Sequence, residues 1–251
     1  MGERRLVIDA SGLDYRRLNE IIRESVRHGV DDFVLDNVIG QRYIATALKG
    51  ELTFTVNGTP GQDLAAFMKG PRIVVNGNAQ DGVGNTMDDG RVIIKGMAGD
   101  VLGYAMRGGA IYVRGDVGYR VGIHMKSYMD QQPVIVIGGK AGDFLGEYMA
   151  GGVILLLGMY SGKPESPVAG MSLATGMHGG VIYVRGELPQ GIVGAQISSA
   201  PADRSDMEAI ADIVHDYSEE IGVDAKDIMA SPFIRLSPRS HRPYGNMYVP
   251  V

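Results

Sequence analysis

Five histidines, His28, His124, His178, His215 and His241, are the side chains of this 251-residue sequence best suited to proton transfer or metal ligation. No two of them stand four residues apart, so helical metal-ligand spacing is missing and no metal is expected. A nucleophilic serine of the hydrolase type would need a Gly-x-Ser-x-Gly elbow, and no such run occurs. Cysteine is absent, which excludes a disulfide, a thiolate-held zinc or iron–sulfur cluster and a cysteine nucleophile within this sequence. Asp63, Asp81, Asp100 and Asp143 recur at what reads as one repeat position, which fits a hydrogen-bonding turn column better than an acid–base pair. Gly118 to Lys126 breaks the repeat by placing bulky polar groups, Tyr119, Arg120, His124 and Lys126, where other coils have small residues. Insertions follow near Tyr128 and Tyr160, and extra residues on a repetitive frame commonly form its contact face. Tyr119, Arg120, His124, Lys126, Tyr128, Tyr160, His178 and Tyr244 are therefore the candidate partner interface, with no catalytic, cofactor-binding or metal-binding residue among them. The competing reading is a stand-alone enzyme or ligand-binding protein with a cleft beside Arg120, His124 and Lys126.

The frame that holds these residues is a repeat. An apolar-x-apolar-x-Gly pattern recurs seven times, closing at Gly58, Gly77, Gly96, Gly115, Gly139, Gly158 and Gly186 with spacings of 19, 19, 19, 24, 19 and 28 residues. Methionines keep the same frame at Met68, Met87, Met106, Met125, Met149 and Met177, as do Leu64, Val83, Leu102, Val121, Leu145 and Leu173. A βαβ unit takes about 30 residues or more, so this period is too short for a strand, a helix and a return. Period-two alternation, glycine corners and like-on-like columns instead fit one coil of a parallel β-helix, with coils stacked at about 4.8 Å. The methionines then form an interior ladder, where a pliable thioether fills irregular space. Val134 to Gly146 alone imitates a dinucleotide-binding loop, but no helix of useful length follows it, so Gly142 is expected to be a coil corner.

The fold expected is mainly β, a parallel β-helix of about seven coils with short helical caps at both ends. Residues 1–49 form an N-terminal strand and helix cap, residues 50–197 the β-helix, and residues 198–251 a C-terminal helix and an extended tail rich in Pro and Tyr. Asp14 to His28 carries Leu18, Ile21, Ile22 and Val26 at helical spacing, and a second helix opens on a capping box at Ser205 to Glu208 and stops at Gly222. A net charge of −5 with both signs interspersed gives no nucleic-acid arm, and no apolar run is long enough for a signal peptide or a membrane span. A cytoplasmic location is expected.

GNAQDGVGNTM (77–87), MAGDVLGYAMRGG (97–109), GDVGYRVGIHMK (115–126), EYMAGG (147–152) and GMHGG (176–180) closely resemble the glycine-repeat (GXGXG) domain of the glutamate synthase large subunit. A more distant resemblance is to the C subunit of formylmethanofuran dehydrogenase. The resemblance implies that the β-helix is right-handed. It also implies a non-catalytic scaffold in a split glutamate synthase, bridging a class II glutamine amidotransferase subunit and a subunit carrying FMN and an iron–sulfur cluster. This chain would itself hold no cofactor. The third subunit of an N-methylglutamate synthase is the nearby alternative, and assembly with further copies of the chain is compatible with either.

If the methionine ladder is interior, Met106→Lys places an unpaired charge inside the stack and lowers stability by several kcal/mol, roughly 3 or more. A melting temperature equal to that of the parent would refute the ladder.

Overall fold

The computed structural model describes residues 4–240. Its spine is a run of parallel strands: β1 (Arg5–Asp9), β2 (Asp32–Ile39), β3 (Thr53–Thr59), β4 (Lys69–Asn76), β5 (Asp89–Ile94), β6 (Ala110–Val113), β7 (Val134–Ile137), β8 (Ala150–Leu156) and β9 (Gly179–Arg185). Each strand pairs with the next in sequence, and the register places Phe54, Ile73, Val92, Ile111, Ile135, Ile154 and Ile182 in one column. This is a parallel β-helix, and the seven strands β3 to β9 bound six complete turns. The stack also extends below the first copy of the pattern, because Leu6 and Phe33 continue the column through β1 and β2. The Phe33 and Phe54 rings stack at 4.8 Å and 7°, so like residues meet face to face at the coil spacing.

Each coil returns through an arm in which left-handed residues alternate with others, as at Arg120, Gly122 and His124, whose φ values are 54°, 69° and 55°. The middle residue of the triplet points across the core. A Cβ on Gly84, Gly103, Gly122 or Gly146 would lie 2.4, 2.5, 2.6 or 2.5 Å from the Cδ1 of Ile111, Ile135, Ile154 or Ile182, so only glycine fits opposite the isoleucine column. Met68, Met87, Met106, Met125, Met149 and Met177 are all buried, as the interior ladder requires. The carboxylate column is structural. Asp81, Asp100 and Asp143 accept the backbone N–H of Asp100, Tyr119 and Met171 at 2.8, 2.8 and 2.7 Å, occupying the space that a Cβ on Gly99, Gly118 or Gly170 would need. Asp63 is not part of this column. It falls one place later, with φ 59°, and takes the Asn85 amide at 3.1 Å.

Helix α1 (Tyr15–Arg27) replaces the return arm of the first coil. Asp14 caps it by accepting from the N–H groups of Arg16 and Arg17, and Leu18 and Ile22 close the end of the core. At the other end, β10 (Ile197–Pro201) and β11 (Phe233–Pro238) add an antiparallel pair, with β11 seated between β9 and β10. Part of the Pro- and Tyr-rich tail is thus a strand of this chain, while residues 241–251, Tyr244 among them, lie outside the described residues. Helix α2 (Arg204–Ile221) starts earlier than its sequence signal suggested. Its N-cap is Asp203, with Asp206 as the reciprocal partner of the capping box, in place of the Ser205–Glu208 pair. It ends, as expected, at a left-handed Gly222.

The C-terminal helix covers a side of the stack, not its end. From Asp206, which accepts from the Tyr183 hydroxyl of β9, to Glu220, which holds Arg72 of β4 and Arg91 of β5, α2 runs along the stacking axis. Its 18 residues span about 27 Å, and six strands span about 24 Å, so the lengths match. Ile210, Val214, Tyr217 and Ile221 bury Ile93, Tyr112, Val136, Leu155 and Tyr183 on the outer strand face. That second core explains why these strands are apolar at nearly every position. The short α3 (Ala225–Met229) follows and buries Ile228 in the same layer. Among the described residues no helix is long and apolar enough to cross a membrane.

Burial under α2 pushes the Tyr112 and Tyr183 hydroxyls up to about 12 and raises Tyr217 as well, Tyr183 being raised further by its bond to Asp206. The fold therefore favours the neutral phenols, and their contribution is complete below the unfolded value of about 10 and lost as pH climbs through about 12. The melting temperature should fall steeply over that window, and the fall should be shallower in Tyr112→Phe and Tyr183→Phe.

Candidate partner-binding face

The return arms of neighbouring coils lie one above another, so side chains at the same distance from a closing glycine become neighbours. His124 and Tyr148 both stand nine residues after such a glycine, Gly115 and Gly139, and their rings stack at 5.4 Å and 11°. Tyr104 of the preceding coil meets His124 edge-on at 5.9 Å. Beside this column, Arg120 and Phe144 share the position five residues after the same glycines, and the guanidinium lies 4.6 Å from the Phe144 ring centre. Arg120 Nε also meets Glu147 Oε2 at 3.2 Å. Glu147 is one of only a few buried polar residues among those described, and Arg120 is its ion-pair partner. The result is an exposed strip of aromatic rings held by stacking, with a fixed cation at its side.

Four of its members, Tyr104, Phe144, Glu147 and Tyr148, were not singled out from the sequence, although their distances from the closing glycines locate Phe144 and Tyr148 beside Arg120 and His124. Tyr119 is half exposed on the same arm as Arg120 and His124, its backbone N–H held by Asp100, and it lines a separate pocket with Lys140, Lys163 and Ser166. Tyr104, Tyr119 and Tyr148 are 40, 51 and 42% exposed, Met97 exposes apolar surface on the arm of Tyr104, and Phe67 and Met171 do so on the arms of other coils. Exposed aromatic rings stacked in this way are suited to contact with another molecule.

The other candidates divide among different places. Lys126 is exposed at the end of its arm, and its backbone N–H donates to Met106. Tyr128 belongs to a tight hairpin in the first insertion, closed by reciprocal backbone bonds with Gln131. Tyr160 lies against Gly138 near Tyr217, under Arg114, and so belongs with the α2 layer. The second insertion that follows it is anchored. The Lys140 ammonium donates to the carbonyls of Lys163, Pro164 and Ser166, and Ser161 donates to Asp116, so only its tip stands out. His178 sits part-buried with Nδ1 3.2 Å from the Gly176 carbonyl. Among the described residues no group of three His, Asp or Glu side chains is arranged to hold a metal ion.

Comparison with known proteins places this geometry. The model of the GXGXG motif family matches residues 27–238, which includes β2 to β9 and the whole aromatic strip. The chain belongs to the GXGXG motif family. A protein of Methanocaldococcus jannaschii, uncharacterized protein MJ1350, is 46% identical to this GXGXG chain over 256 residues, covering 99% of this chain and 98% of that one. Among solved structures, a chain of the formyltransferase/hydrolase complex from Methylorubrum extorquens, determined with methylofuran, superposes with a TM-score of 0.66. The two are 19% identical, and the match covers 95% of this GXGXG chain and 92% of the other, so the likeness is one of fold.

Arg120→Met strands the Glu147 carboxylate in a buried position and should cost about 1–3 kcal/mol, whereas Glu147→Gln should cost less because Arg120 is half exposed. Chemical denaturation of both variants and of the double variant, which should recover part of the Arg120→Met loss, checks the pairing.

Proposed function

We propose that this GXGXG chain is a non-catalytic scaffold subunit of a split, glutamate synthase-like complex. One partner is a class II amidotransferase that releases ammonia from glutamine. The other carries FMN and an iron–sulfur cluster, adds the ammonia to 2-oxoglutarate and reduces the product to glutamate. The reading is carried by the exposed Tyr104–His124–Tyr148 strip with Arg120 at its side, set on a frame whose interior columns are committed to packing. A rigid β-helix suits the task of holding two partners at a fixed separation. Ammonia that escapes between active sites is diluted and protonated, and a protonated amine has no lone pair to attack a carbonyl, so a firmly closed path raises yield.

The test is a pull-down of the tagged chain from its native cells at low salt, followed by identification of what stays bound. Recovery of a cysteine-initiated amidotransferase and a flavin and iron–sulfur protein supports the reading, and their loss from a Tyr104→Ser, His124→Ser, Tyr148→Ser triple variant that still melts like the parent assigns the face. Turnover of glutamine or 2-oxoglutarate by the purified chain alone, or a chain that retains no partner, would overturn it.

A further inference from the structure

The first insertion builds a feature that a scaffold does not need. Tyr128 and Gln131 exchange backbone hydrogen bonds at 3.1 and 3.0 Å around Met129 and Asp130, and Met129 takes a left-handed φ of 53°. The result is a two-residue hairpin of fixed shape. It stands over the corner of the neighbouring coils, with the Tyr128 ring 6.0 Å from the Arg107 guanidinium and the Gln131 amide against Gly108. Between hairpin and coils lies a cavity of about 490 Å³ lined by Lys69, Asp88, Arg107, Tyr128, Asp130 and Gln131, with Met129, 84% exposed, at its mouth.

The charges in this cavity are unevenly spent. Arg107 and Asp88 pair at 2.6 Å through Nη2 and Oδ1, while the buried Nε of Arg107 has no hydrogen-bond partner among the described residues. Among the described residues, the Lys69 ammonium and the Asp130 carboxylate have no hydrogen-bond or ion-pair partner, and they are too far apart to pair with each other. A cation and an anion that line one cavity without pairing are complementary in sign to a ligand that carries both charges.

We infer that this cavity is a binding site for a small zwitterion of the α-amino acid class. The ligand carboxylate faces Lys69 and the ammonium faces Asp130. The Gln131 amide and the Tyr128 hydroxyl offer neutral hydrogen-bonding groups, and the Met129 thioether at the mouth covers an aliphatic side chain. Because Lys69 and Asp130 are open to solvent, each charge contact is screened and the affinity falls in the range of about 0.1–10 mM. The site involves neither the aromatic strip nor a partner subunit, so it stands or falls apart from the scaffold reading.

The experiment uses the full chain, with glycine, L-alanine, L-glutamine and L-glutamate as probes, and acetate and methylammonium as carriers of one charge each. Saturable chemical-shift changes confined to Lys69, Arg107 and residues 128–131 are expected with the amino acids and not with either single ion. Lys69→Met and Asp130→Asn should each weaken binding by about tenfold at an unchanged melting temperature, since both side chains are exposed. No saturable shift with any amino acid up to about 50 mM, equal binding of the single ions, or binding unchanged in both variants would overturn the assignment.

Discussion

Backbone hydrogen bonding between successive coils fixes their separation at about 4.8 Å, and everything else in this protein answers to that distance. A residue in one coil has its equivalents directly above and below, so a side chain is admitted only if it can live beside its own kind or beside what its column already contains. Isoleucine on isoleucine, methionine on methionine and phenylalanine on phenylalanine meet the condition by dispersion. Aspartate meets it by accepting a backbone N–H from the next coil, and the adjacent glycine supplies the room for its carboxylate. Asn76 donates to Asn57, and Asn57 to Asp36, which is the same solution in an amide column.

The same condition shapes the exposed face. An aromatic ring stacked on a ring is held in place without being covered, so the Tyr104–His124–Tyr148 strip is both rigid and accessible. Loops achieve accessibility at the cost of order, whereas here the rings lose little further freedom when something docks on them. Arg120 gains fixity from the Phe144 ring and Glu147, although nearly half of its side chain remains in water. Contact residues and packing residues are thus neighbours on one short arm, separated by the alternation of its backbone.

Much of this was legible in the sequence because a period is independent of any single residue. The interior columns, the glycine corners and the tight spacing that excludes helical repeats all follow from counting. The first two strands were not legible as part of the stack, since β1 and β2 pair in register without the closing glycine that marks the later copies. The course of α2 was also hidden. Its apolar face was visible, but whether that face meets the end of the stack or its side depends on the outer strand positions, and Val74, Ile93, Val136 and Leu155 read equally well as core. The surroundings of Tyr160 were hidden for the same reason, because its neighbours Gly138, Arg114 and Tyr217 come from three separate segments. Phe144 and Tyr148 were within reach of arithmetic, and only the habit of reading motifs along the chain instead of across it conceals them.

Helix α2 gives the molecule a gauge. A solenoid has no intrinsic length, and coils can be added or lost by duplication while every local contact is preserved. Here a helix of fixed rise is tied at Tyr183 near one end and at Arg72 and Arg91 near the other. Gaining a coil between those ties would leave outer strand surface bare, and losing one would leave a helical turn overhanging. The spacing between β4 and β9 is thereby fixed, and two bodies attached at those levels would keep their distance even as the arms between them change.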